Sequence, residues 1–381
     1  MVWDKIILNI FVVNNNMRYD LIIRNITLLF TVFTISVFGG KSVAYAQRPL
    51  YKADTLTIKV FGDIMMHKAQ IDAAHKGWGK YFTYIEDEIK NADLAVANME
   101  FTLAGEPYSG YPAFSAPDDF AEHIAKCGFD IFLCANNHIY DKGSAGTART
   151  LKIYKELSNK YGIRYTGLTE SSEEREENLS LTVIRKGMKI SFINMTYGTN
   201  LGATDHWPKV LYQSEKEKIS NALSKAERES DITIALPHWG TEYELLHSES
   251  QAITAEWLIN GGADLIIGTH PHVAQDLGRI NGVEVAYSLG NLVSNMSAAN
   301  TQLGLMATIK IVRHPNGDVS LLPLELTHLW CSRPGGLTNS YTVIPIEDFI
   351  GRRDLWLNDW DYEKMVTTYE RVRKTHNNNE H

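Results

Sequence analysis

Short apolar runs, each separated from the next by a longer amphipathic or polar segment, recur along most of this chain and confine it to an α/β architecture. The runs are LTIKVF (56–61), DLAVAN (93–98), DIFLCA (130–135), IRYTGL (163–168), DITIAL (231–236), ADLIIG (263–268), VEVAYS (283–288), LGLMATIKIV (303–312) and VSLLPLEL (319–326). LTVIRKGMKISFINM (181–195) reads as a hairpin turning at Lys186-Gly187. Between the runs, PDDFAEHIAKC predicts a helix opening at Pro117, with Ser115 as its cap. Residues 144–162 predict a second helix, closed by Gly162. Residues 214–230 predict a surface helix with Ile219, Leu223 and Ala226 on one stripe, and 248–262 a helix leading into ADLIIG.

The front of the chain is not part of this pattern. Arg24 is followed by an apolar core from Ile26 to Phe38, then by Ala44-Tyr45-Ala46, the small-x-small pattern of a signal-peptidase site. The apolar core is shorter than the roughly 20 residues of a membrane span. Residues 1–46 are therefore expected to be an export signal, with Met1 or Met17 as the start and an uncleaved N-terminal anchor as the alternative. The expected location is the periplasm or cell envelope. The remaining 335 residues carry 33 basic against 43 acidic side chains, a net charge of −10. That balance argues against nucleic acid as a regulatory partner and against nonspecific binding to anionic lipid. Three cysteines, Cys127, Cys134 and Cys331, are too few for a disulfide framework, and no Cys-x-x-Cys pair offers a structural zinc site. One domain is expected over residues 54–329. Beyond it, 330–381 reads as a C-terminal extension, with RPGGLTNSY as loop and KTHNNNEH as a disordered tail.

Chemistry-bearing residues collect where the apolar runs end. IKVF is followed by Gly62-Asp63 and, four residues on, His67; LAVA by Asn98-Met99-Glu100; IFLCA by Asn136-Asn137-His138 and then Asp141. ITIAL leads to Pro237-His238-Trp239, LIIG to Thr269-His270-Pro271-His272, and VAYS to Leu289-Gly290-Asn291. In an open α/β sheet, ligands bind beyond the carboxyl ends of the strands, so these turns are expected to build one site. Histidine, carboxylate and amide oxygen together suit a pair of divalent ions, for which manganese, iron and zinc are the candidates. Pro271 has a specific consequence. On a regular strand His270 and His272 would face the same way, whereas a proline between them bends the backbone and lets each imidazole address a different ion.

The motifs GDIMMH, ANMEFTL, CANNHIYDKG, PHWGTEY, GADLIIGTHPHV and YSLGN, in that order from Leu56 to Ser294, resemble the CapA family. These are poly-γ-glutamate capsule-synthesis proteins, a divergent branch of the calcineurin-like metallophosphoesterases. The resemblance implies a four-layer αββα sandwich with a metal centre at one edge. By the same similarity, Asp63 and His272 serve one metal, Glu100 bridges, and Asn137, His238 and His270 serve the second. His138 takes the place of the histidine that protonates a leaving group, with Asp141 as its partner. Two departures stand out: Asp63 is followed by a distant His67 rather than by Asp-x-His, and Asn98-x-Glu100 replaces the bridging aspartate. Asn98, Trp239, Tyr243 and Asn291 are candidates to shape the substrate pocket, with structural support as the equal alternative for Trp239, Tyr243 and Asn291.

What the resemblance implies about function is a metal-dependent hydrolase acting on an acidic polymer or a phosphoester, working beside other capsule or envelope assembly proteins. The alternatives are a polymer-binding or export factor without turnover, and a general secreted phosphodiesterase or nucleotidase. His138 favours chemistry, because a pure binder has no need of a proton donor beside a metal.

Overall fold

The computed structural model describes residues 53–73 and 77–377; the expected export signal and its cleavage site lie outside them. Among the described residues, no helix is long and apolar enough to cross a membrane. Two large sheets face each other. In spatial order the first runs Thr342–Pro345, Glu325–Ser332, Leu303–Arg313, Asp54–Ile64, Leu94–Met99, Ile131–Leu133 and Arg164–Thr166. Its last four strands are parallel, and the short strand Asn291–Val293 joins the end of Asp54–Ile64. The second runs Leu277–Ile280, Val283–Ala286, Leu265–Ile267, Ile232–His238, Met188–Thr196 and Leu181–Arg185, parallel in its middle four.

The apolar pattern explains the layering. Strands buried on both faces read as continuous apolar runs, and their side chains alternate between two cores. Ile58, Val60, Val96, Ile131, Ile234 and Ile267 point between the sheets into one shared core. Their neighbours Phe61, Ala95, Ala97 and Phe132 face the helices Asp118–Cys127 and Gly143–Tyr161, through Phe120, Ile124 and Tyr154. On the far side, Ala235, Ile266 and Val285 pack against Ile219, Leu223 and Ala226 of the helix Lys216–Glu229, and against Ala255 and Leu258 of Glu249–Asn260. Helix, sheet, sheet, helix: the four-layer α/β sandwich is present.

Four local expectations are corrected. Residues 319–326 are not one strand, because Pro323 lacks the N–H that a continuous ladder requires. Val319–Leu321 turns back on Leu303–Arg313, and a new strand starts at Glu325. That strand continues to Ser332, so the boundary expected at Leu329 falls inside an element. The chain beyond it extends the first sheet through Thr342–Pro345 and ends in the helix Asp359–Asn377, which inserts Met365, Tyr369 and Val372 into the inter-sheet core. The segment expected as a disordered tail is helical as far as Asn377. Lastly, Pro117 itself is the N-cap of its helix, while Ser115 donates to the carbonyl of Gly105 at 2.7 Å.

Candidate metal centre

Parallel strands deliver their carboxyl ends to one edge of a sheet, and here the two edges meet. Asp63 comes from Asp54–Ile64 and stands in register with Asn98 on one side and Asn291 on the other. The glycine before it is required by close packing: a Cβ on Gly62 would lie 1.9 Å from the carbonyl oxygen of Gly290. Asp63 Oδ1 accepts from Asn98 Nδ2 at 2.7 Å, and Oδ2 accepts from the backbone N–H of His270 at 3.2 Å. One carboxylate thus joins the first sheet to the His-Pro-His turn of the second.

His238 ends the strand Ile232–His238 and is fully buried. Its Nδ1 lies 3.0 Å from Thr269 Oγ1, and its Nε2 is 2.9 Å from Asn137 Oδ1. Asn194 sets that distance across the sheets. Its Oδ1 accepts from the backbone N–H of Ala135 at 2.7 Å and its Nδ2 donates to the carbonyl of Leu236 at 2.8 Å. His270 and His272 both hold left-handed backbone, at φ 103° and 61°. Such strain in non-glycine residues persists only where surrounding contacts enforce it. The rotation separates the two rings, whose centroids are 5.9 Å apart.

Among the described residues, three groups of side chains bring donor atoms within 4.8 Å of one another: Glu100 with His238 and His270; Asp63 with Glu100 and His272; and Glu242 with His270 and His272. Glu100 is common to the first two, with Oε1 at 3.7 Å from His238 Nε2 and 3.8 Å from His272 Nε2. It is also fully enclosed, and neither of its oxygens has a hydrogen-bond partner among the described residues. Burial, then the neighbouring Asp63 and Glu242 carboxylates, push its carboxyl well above the usual range. His270 Nδ1 is likewise buried and unpartnered. Burial first, then the surrounding imidazoles, hold His270 down to about 3 and His238 well below the ordinary histidine value. The neutral imidazoles of His238 and His270 beside a carboxylate form a donor set that a divalent cation would satisfy, with His238 Nε2 exchanging its contact to Asn137 Oδ1 for the ion.

His138 follows Asn137 on the turn after Ile131–Leu133 and is buried. Its Nδ1 is 2.7 Å from Asp141 Oδ2, which also accepts from the backbone N–H of Phe114 at 2.7 Å. Asn200 Nδ2 lies 3.4 Å from His138 Nε2, and Asn200 N–H donates to the carbonyl of Asn137 at 2.8 Å.

The structure brings Asp63, Glu100, Asn137, His238, His270 and His272 together, with the His138–Asp141 pair adjoining. His67 is near enough for the His272 and His138 rings to act on its charge, but it is not in the groups whose donor atoms lie within 4.8 Å of one another. His67 Nδ1 accepts from the backbone N–H of Asn295 at 3.2 Å, and its ring packs edge-on to Phe114, which in turn packs on His138. Three of the four expected pocket residues are enclosed rather than presented. Asn98 supports Asp63; Asn291 Oδ1 lies 3.0 Å from His272 Nδ1; and Trp239, 2% exposed, donates its indole N–H to the carbonyl of Tyr287 at 2.9 Å. Tyr243, 42% exposed, stays at the rim, its ring centroid 6.3 Å from that of His272. The sequence reading does not single out Asn194, Asn200 or Tyr197, whose ring centroid lies 4.6 Å from that of His270. The strand Met188–Thr196 ends in Tyr197-Gly198-Thr199-Asn200, the same polar strand-end signal, and Asn194 is an amide inside an apolar run.

Taken together, the molecule is a four-layer α/β sandwich with a candidate two-metal centre at the carboxyl ends of its strands. Residues 57–296 match the family model of the bacterial capsule synthesis protein PGA_cap, and the chain belongs to that family. It is 25% identical over 323 residues to the capsule biosynthesis protein CapA of Bacillus anthracis, covering 82% of this chain and 77% of that protein. Against the PGA biosynthesis protein CapA of Bacillus subtilis (strain 168) it is 24% identical over 313 residues, covering 79% of each. Among solved structures it is similar to a putative 5′-nucleotidase from Staphylococcus aureus, with 14% identity and a TM-score of 0.48, over 72% of this chain and 54% of that one. The chain thus spans about half the length of that nucleotidase. It is also similar to the NAD nucleotidase of Haemophilus influenzae, with 13% identity and a TM-score of 0.45, over 85% and 68% of the two chains.

Proposed function

We propose that this capsule biosynthesis protein is an exported metal-dependent hydrolase whose substrate is an acidic envelope polymer of the poly-γ-glutamate type or a phosphoester. The observation that carries this reading is Glu100, a fully enclosed carboxylate with no hydrogen-bond partner among the described residues, set between Asp63 and three histidines. Asp63 and His272 would hold one divalent ion; Asn137, His238 and His270 a second; Glu100 is shared. Manganese, iron and zinc all accept this mixed oxygen and nitrogen donor set. When bound, such a pair supplies Lewis-acid polarisation of a substrate oxygen and activates water.

The rest of the chemistry belongs to the chain. Asp141 accepts the Nδ1 proton of His138 and fixes the ring. That leaves Nε2 to carry a proton to a leaving group; Asn200 Nδ2, 3.4 Å away, is a donor and can hold the ring's outer edge only once Nε2 has given its proton up. Trp239, Asn98 and Asn291 act behind the centre by fixing backbone and ligand orientation. Export to the cell envelope, with cleavage after Ala46, and work beside other capsule assembly proteins belong to the same proposal.

The test is turnover by metal-loaded protein on poly-γ-glutamate and on a chromogenic phosphodiester, comparing wild type with His138→Asn. The variant should keep its fold and metal while losing about 10²–10⁴-fold in rate. Wild-type turnover in the variant would remove His138 from the mechanism. Polymer binding by wild type without turnover of any substrate would replace the hydrolase reading with that of a binding factor.

A further inference from the structure

Glu242 has no part in the ligand set above, yet the fold aims it at the centre. It sits in the turn Gly240-Thr241-Glu242-Tyr243, which follows His238-Trp239, and it is exposed. An exposed carboxylate ordinarily extends into water. Here one of its oxygens lies within 4.8 Å of ring nitrogens of both His270 and His272.

The turn is fixed at both ends. Gly240 holds φ 99°, and a Cβ there would come within 2.7 Å of Gln251, the residue that completes the capping box of the helix Glu249–Asn260. Tyr243 holds φ 70°, and its backbone N–H donates to the carbonyl of Pro271 at 2.8 Å. The segment carrying Glu242 is therefore tied directly to the His-Pro-His turn. Left-handed backbone at Tyr243, His270 and His272 is concentrated on the two turns that face each other across this contact. Independently, His270 Nδ1 is buried without a hydrogen-bond partner among the described residues. Asp63 and Glu100 approach from inside the sandwich; Glu242 approaches from the solvent side.

Within the two-metal reading proposed above, on which this rests, we infer that Glu242 is a further ligand of the centre. It would be a solvent-side carboxylate that completes the ion held by His270, whose Nδ1 has no hydrogen-bond partner among the described residues, with His272 of the neighbouring ion within the same reach. A ligand in that position fits where a substrate's anionic group would approach, so it would also set how open the centre is.

The experiment titrates Mn²⁺ by calorimetry into full-length, metal-stripped wild type, Glu242→Gln and Glu242→Asp. Wild type should show two binding events. In Glu242→Gln one event should weaken about 10–100-fold while the other is unchanged. Glu242→Asp, which keeps the charge on a shorter arm, should recover part of the loss. Identical isotherms for wild type and Glu242→Gln would overturn the inference and leave the two-metal reading standing. Equal weakening of both events would also overturn it, because Glu242 would then not belong to one ion. No binding by wild type would refute the two-metal reading itself.

Discussion

Replacing Glu100 by glutamine removes one charge at nearly constant shape, and its effect on stability should change sign with metal. In the metal-free protein the carboxylate is enclosed, with both oxygens unpartnered among the described residues and with Asp63 and Glu242 close by. An uncompensated buried charge costs about 3–5 kcal/mol, and uptake of a proton relieves part of that. A neutral amide avoids the charge, and its N–H can donate to Asp63. A gain of about 3 kcal/mol corresponds to roughly 4 °C in melting temperature for a chain of this size. With divalent metal present the order should reverse. At a free ion concentration of about 1,000 Kd, binding adds about 4 kcal/mol to wild type, and losing the shared ligand removes most of it. The assay is thermal unfolding of both proteins in chelator and in excess Mn²⁺. If Glu100→Gln melts below wild type in chelator, or if the difference is the same in both buffers, Glu100 is not a carboxylate held for metal.

Two further predictions concern residues away from the ion pair. Trp239→Phe should cost about 1–3 kcal/mol, because the Tyr287 carbonyl loses its buried donor, while metal content stays at the wild-type level. A drop in metal content in folded Trp239→Phe would show that the indole does more than support the strand. Lys160 first, then Tyr161, hold the Glu122 carboxyl down to about 2 from its ordinary 4.5. A carboxyl depressed in the folded state stabilises above its unfolded value, and the benefit is lost as pH falls from about 4.5 towards 2. This pair is at the surface, so the stabilisation is about 1 kcal/mol. The stability difference between wild type and Glu122→Gln, measured by urea unfolding, should therefore hold at pH 6 and vanish near pH 2. A difference that does not change with pH would assign the effect to packing.

Much of this fold is legible in the sequence because parallel strands are apolar throughout and helices are not. The Lys186-Gly187 turn was readable, and it takes the two left-handed residues of a tight hairpin, at φ 48° and 73°. Asn281-Gly282 carries the same signal, φ 52° and 85°, between Leu277–Ile280 and Val283–Ala286. It was missed because LGRI, with an arginine and a glycine, does not read as an apolar run. The site was legible to the extent that its residues sit at strand ends. Its internal scaffolding was not. Asn194 has meaning only through Ala135 and Leu236, which lie on different sheets, and no local pattern records that pairing. Glu242 and Asn200 sit in loops whose approach to the centre depends on turns packed by distant elements. Trp239 and Asn291 show the limit of proximity in sequence to ligands: it reads equally as pocket or as support, and their burial favours support.

The most direct test of the two-metal reading is the metal stoichiometry of the purified chain. After loading with Mn²⁺, Fe²⁺ or Zn²⁺ and removal of free ion, elemental analysis should find two divalent ions per chain. His270→Ala, prepared in parallel, should lose bound metal while keeping the wild-type circular dichroism spectrum. Wild type that retains no metal under any loading condition, or His270→Ala that retains the full two, would contradict the account.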